Sequence, residues 1–177
     1  TAVCFLGAPE IIRILFGSKW SQSVECFKLL SIAIVPQMIN SSSGGIFQAI
    51  GNTKLLFINS CINSAVTVIA ILCGVFIGNS IVSLSAWVAI AYVVHFITAT
   101  YMLIKLGFKY KLMEFLKELL PEVILIVGMV VGILVYNFTI KSIFLSLVCK
   151  CAFLGVIYIV LLFLTKEHKI FKSLLKR

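Results

Sequence analysis

Several side chains that carry a charge, an amide or a hydroxyl stand inside long apolar runs of this 177-residue chain. His95 sits in the middle of the run from Ile81 to Ile104. Glu10 and Arg13 lie three apart in the first run. Gln37, Asn40 and Gln48 bracket the string Ser41-Ser42-Ser43-Gly44-Gly45, just after Pro36. Asn59, Asn63 and Thr67 recur every four residues and so share one face of a helix. In hydrocarbon an unpaired polar group is expensive, so each of these residues either bonds a neighbouring helix or lines a wet passage. Both readings stand for His95, for the Asn59 face and for the Pro36–Gln48 stretch, where close packing through small residues competes with a substrate cavity. Glu10 and Arg13 are expected to pair with each other; the alternative is a cation facing an anionic head group. Lys150, about one turn into the last run, is expected to snorkel to the outer interface.

Soluble-enzyme chemistry finds no foothold. The chain has no GxSxG, no phosphate-binding glycine loop, no HExxH and no pair of carboxylates placed for acid–base work. Its six cysteines, Cys4, Cys26, Cys61, Cys73, Cys149 and Cys151, include no CxxC pair. They read as small apolar packing residues rather than a zinc site or a disulfide framework. No catalytic residue, metal or cofactor is expected.

The elements that must hold these residues are membrane spans. Hydrophobic residues make up 62% and charged residues 12%, against about 45–50% and 25% in soluble domains. Leu55–Ile77, Ile81–Ile104, Pro121–Phe138 and Ser146–Leu164 each hold 18 or more mostly apolar residues, and roughly 20 in a helix cross a hydrocarbon core. A helix with a polar middle is expected at about Val24–Ile50. Thr1–Phe16 is expected to be part of a span cut at its start. The fold class is therefore all-α: a polytopic integral membrane helical bundle of about five complete transmembrane helices plus a partial first one. Tight loops are expected at Gly51–Lys54 and Gly78–Ser80. Residues 105–120 form an interfacial amphipathic linker, with Phe108, Leu112, Phe115, Leu116 and Leu119 on one face. Residues 165–177 form a basic tail. Asn137-Phe138-Thr139 matches a glycosylation sequon.

Charge sets the orientation. The net charge is +9, but the cations sit in short loops and the tail, so membrane topology explains them and no nucleic acid partner is expected. Ten Lys and Arg fall on one side (Lys54, the four lysines from Lys105 to Lys117, and the five cations from Lys166 to Arg177) and five on the other. The richer side is cytoplasmic by the positive-inside rule, which puts the C-terminus inside. Trp20 and Tyr136 then lie at the outer interface and Tyr101 near the inner one.

Two turns carry a family resemblance. Leu15-Phe16-Gly17-Ser18-Lys19-Trp20, followed by Gln48-Ala49-Ile50-Gly51-Asn52-Thr53-Lys54, resembles the C-terminal half of polysaccharide flippases of the O-antigen type. These belong to the superfamily of multidrug, oligosaccharidyl-lipid and polysaccharide exporters. The resemblance runs through nearly the whole chain in helix order and loop length; Asn52 stands where family members often carry Arg or Lys. It implies the C-terminal lobe of a transporter in a bacterial inner membrane, with the N-terminal lobe missing. Such a protein moves a lipid-linked oligosaccharide between leaflets by alternating access and is not an enzyme. Implied partners are membrane lipids, the lipid-linked oligosaccharide, the missing lobe and polysaccharide assembly proteins. On this reading Gln37, Asn40, Gln48, Asn59, Asn63 and His95 face the substrate cavity, with Arg13 near its outer rim. The rivals are an exporter of drugs or small cations on the same scaffold, which would want a deep acidic residue, and a non-transporting membrane scaffold protein.

Overall fold

The computed structural model describes residues 1–108, 112–136 and 142–165. Among them every regular element is helical. The helices are α1 (Ala2–Leu6), α2 (Ala8–Phe16), α3 (Ser23–Ile32), α4 (Ile34–Ala49), α5 (Thr53–Phe76), α6 (Ile81–Tyr101), α7 (Leu112–Glu118), α8 (Leu120–Val135) and α9 (Ile143–Leu164). A short 3-10 turn covers Ser18–Trp20, and a π-helical turn, Met102–Gly107, extends α6. Three helices are long and apolar enough to cross a membrane: Thr53–Phe76, Ile81–Gly107 and Ile143–Leu164. Large apolar side chains such as Phe57, Ile69, Ile97 and Phe163 are more than half exposed on them, as lipid-facing helices require. The expected span at Pro121–Phe138 is a shorter apolar helix, with Phe138 outside the described residues. The sequon and residues 166–177 of the tail also lie outside them. Of the expected amphipathic linker, 109–111 are not described, and its helix is the short α7.

Two of the expected helices are interrupted, and proline explains both. A proline has no N–H and its ring collides with the carbonyl four residues back. Pro36 therefore breaks the ladder at Ile32, where α3 ends; Ala33 instead donates to the Leu30 carbonyl at 3.0 Å, and α4 begins with Pro36 in its first turn. Pro9 acts in the same way on the first helix, which is divided at Gly7 into α1 and α2.

The chain divides into two compact units. The first comprises Gln22–Phe115, with Thr1, and the second Ala2–Ser21 with Leu116–Arg177. In the first, α6 packs against α3, α4 and α5. Its buried face is built from small residues, Ser85, Ala89, Ala91 and Ala99, with His95 among them. Gly74 of α5 completes the close approach: a Cβ there would stand 2.8 Å from the Leu84 Cα. Phe47 of α4 is fully buried on Met102 and Leu103, with Ile50, Leu55 and Leu56 around it. In the second unit α9 packs against α1, α2 and α8. Gly128 and Gly132 of α8, four apart, admit the tips of Leu161 and Ile157.

The turns at Gly51 and Gly17 are helix-ending devices. The Asn52 N–H donates to the Phe47 carbonyl and the Gly51 N–H to the Gln48 carbonyl, closing α4 in a Schellman motif with Gly51 at φ +69°. The Asn52 side chain then accepts from the Leu55 N–H and starts α5. At the other turn Gly17, at φ +86°, ends α2, and the Phe16 and Trp20 rings meet at 6.1 Å. Because L-residues pay about 1–2 kcal/mol in the left-handed region, Gly51→Ala is expected to destabilise the first unit by that amount. Reversible unfolding in mixed micelles, read by circular dichroism, checks it.

Candidate functional site

A polar seam joins α5 to α6. Spacing by four puts Asn63 and Thr67 on the face of α5 that meets α6. There the His95 Nε2 lies 3.0 Å from the Asn63 backbone oxygen and 3.3 Å from Thr67 Oγ1. A carbonyl oxygen only accepts, so Nε2 carries a proton and donates. Thr67 Oγ1 donates to the Asn63 carbonyl at 2.9 Å, and Thr98 Oγ1 donates to the His95 carbonyl at 3.0 Å and lies 3.4 Å from Asn63 Oδ1. The Tyr92 ring stands edge-on to the imidazole at 5.6 Å. His95 is buried. The seam thus bonds helix to helix, the role expected of a polar residue held in a span. Interhelical bonds in membranes average about 0.6 kcal/mol and reach about 1.7. His95→Leu, which removes the donor to Asn63, is expected to lower stability within that range, measured by unfolding in lipid micelles.

Two acceptors in the same unit are unmatched. Asn59 Oδ1 on α5 and Asn40 Oδ1 on α4 are buried with no hydrogen-bond donor among the described residues. A buried oxygen in that state wants a water or a donor from a ligand.

A polar stripe runs along α4. Ser43 and Phe47 are its buried residues, and Gly44 faces Leu56 of α5 at van der Waals distance. The opposite face carries Gln37, Ser41, Gly45 and Gln48, all exposed. A Cβ added at Gly45 would meet nothing within 4 Å. The Ser41 and Ser42 hydroxyls donate to the Met38 carbonyl, whereas the two glutamines project their amides outward from the fold of this unit. The structure therefore brings Asn63 and His95 together and leaves Gln37 and Gln48 outside their network. Arg13 belongs to the second unit, where it is exposed.

No protein-family model, curated protein or solved structure matches the chain.

The second unit holds a buried charge cluster that corrects two expectations. Glu10 does not pair with Arg13. Its Oε1 accepts from Lys150 Nζ at 2.6 Å and from Ser146 Oγ at 2.8 Å. Lys150 does not snorkel: it is 9% exposed and also donates to the Leu6 carbonyl at 3.0 Å. The physical reason is direction. Arg13 lies on the exposed side of α2, whereas Glu10 is turned toward α9, which offers Ser146 and Lys150 one turn apart on a single face. That i, i+4 pair, with an acid available elsewhere, was the sequence signal for this cluster. Thr98, three residues after His95, was the corresponding signal in the seam. Among the described residues no group of three or more His, Cys, Asp or Glu gathers as a metal site.

Proposed function

We propose that this chain is one lobe of a membrane transporter that carries a hydroxyl-rich, lipid-linked oligosaccharide between leaflets. The observation that carries this reading is the stripe Gln37, Ser41, Gly45 and Gln48 on the open face of α4. Amides are not left to lipid where protein or water can meet them, so this face belongs on a wet surface. It resembles the interrupted helices with which transporters hold substrate. Pro36, which sets α4 off from α3, supplies the interruption.

The chemistry of the stripe fits a sugar better than a cation. Glutamine amides and serine hydroxyls both donate and accept, as sugar hydroxyls do. The likeness of the two turns to polysaccharide flippases supports the same conclusion. On this reading the chain is a C-terminal lobe of about five complete spans with its C-terminus in the cytoplasm. Polysaccharide assembly proteins are partners.

The test is reconstitution of the full protein in vesicles that contain a fluorescent lipid-linked oligosaccharide. Movement of the probe between leaflets should exceed that in protein-free vesicles. Gln37→Leu/Gln48→Leu should slow it by about tenfold or more, the rate equivalent of about 1.4 kcal/mol. Movement equal to that in empty vesicles would refute the reading.

A further inference from the structure

The Glu10–Lys150 cluster has a use that the transport path described above does not supply. Lys150 and Glu10 have side chains only 11% and 13% exposed, at 2.6 Å from each other. A buried ion pair gives no more stability than well-packed apolar residues of the same size. Holding charge inside a span is the arrangement that proton-handling membrane proteins use. Three details give the pair a direction.

First, the carboxylate is asymmetrically satisfied. Oε1 takes both donors, from Lys150 and Ser146. Oε2 is buried with no hydrogen-bond donor among the described residues. Oε2 is therefore the oxygen on which an added proton would displace no existing hydrogen bond. Second, Lys150 has somewhere to remain when Glu10 is neutral. It already donates to the carbonyl of Leu6, at the break between α1 and α2, and its ammonium lies 6.0 Å from the centre of the Tyr136 ring. Third, the pair links separate elements, since Glu10 is on α2 and Lys150 and Ser146 are on α9.

We propose that Glu10 is a proton-binding site whose occupancy opens and closes the ionic link between α2 and α9. One proton from the aqueous phase joins Oε2 and makes the carboxylic acid. Lys150 keeps its own proton, so the cluster passes from net zero to one positive charge. The ammonium, having lost its counter-charge, withdraws to the Leu6 carbonyl and the Tyr136 ring. Loss of the proton from Glu10 restores the pair. The groups that bear on Glu10 are Lys150 and Ser146 of α9, the Leu6 carbonyl of α1, and Tyr136 at the end of α8, which has Cys149 of α9 beside it. Cys4 of α1 is half-buried, and Arg13 on α2 itself is turned to the exposed side. Among the described residues the site thus meets a single cation, and protonation removes the only ion pair that Glu10 makes among them.

Infrared difference spectroscopy of the full protein in lipid nanodiscs, followed from alkaline to strongly acidic pH, tests this. The wild type should gain the carbonyl stretch of a buried carboxylic acid, together with a backbone amide change. Glu10→Gln should abolish both and isolates Glu10 from the other carboxylates. Ser146→Ala, which leaves both charges in place, should keep the band at a shifted frequency, because Oε1 loses its hydroxyl donor. It decides the question if the Gln variant does not fold. A wild type without the band, a band that survives Glu10→Gln, a band unshifted by Ser146→Ala, or a carboxyl signal with no backbone change would each overturn the proposal.

Discussion

Lys150→Met should be the most damaging single substitution in the second unit, lowering its stability by about 3–5 kcal/mol, the cost of leaving one member of a buried pair alone. Glu10 would keep Ser146 as its donor and lose its charge partner. Both side chains are nearly enclosed, so solvent screening offers little relief. The companion result is sharper than the single loss. Glu10→Leu combined with Lys150→Met should recover most of the deficit, because two apolar side chains of similar volume replace the pair without a stranded charge. Reversible unfolding of the full protein in mixed micelles gives both numbers. A Lys150→Met variant as stable as wild type would mean that the pair is solvated and unimportant.

The second large effect belongs to α5. Gly74→Leu should cost the upper part of the range of about 1–3 kcal/mol seen for overpacked cores. The obstacle is unusually firm, since the first added carbon would already be 2.8 Å from the Leu84 Cα and backbone does not swing aside as a side chain does. The separation of α5 and α6 should widen, and the contact of His95 with the Asn63 carbonyl should weaken with it. Gly45→Ala on α4 is the control. Its position is open, and the gain in helix propensity of about 1 kcal/mol should make that variant neutral or more stable. Stability by unfolding and the α5–α6 distance by paired spin labels check the contrast.

Much of the helix layout was legible in the sequence because apolar length is a strong signal. The runs from Leu55, Ile81 and Ser146 correspond to α5, α6 and α9 within a few residues at their starts. The loops at Gly51 and Gly78 were legible for a local reason: Gly51 and Asn79 take positive φ, and Asn52 and Ser80 cap the following helices with their own side chains. Pro36 marked the interruption of the second helix, but its place one turn upstream, at Ala33, follows from the carbonyl it displaces. The π-helical extension of α6 left no sequence signal; its Met102 and Leu103 pack on Phe47, a contact between residues more than 50 positions apart.

The polar residues were legible as a set and not as pairs. Period four placed Asn63 and Thr67 together, but nothing in α5 alone named His95 and Thr98 as their partners. Glu10 and Arg13 looked paired because they are near in sequence. The pairing that forms is between residues 140 apart, decided by which side of α2 meets α9. Sequence distance ranks local partners well; it is blind to a partner supplied by packing.

The central claim is that the open face of α4 borders water within a transport path, and solvent access measures this directly. In the full protein with its native cysteines replaced, single cysteines at Gln37, Ser41 and Gln48 should react with a membrane-impermeant maleimide. A cysteine at Ile97, on the apolar exposed side of α6, should not. Adding a lipid-linked oligosaccharide should protect the α4 positions. Uniform inertness of Gln37, Ser41 and Gln48, equal to that of Ile97, would contradict the account.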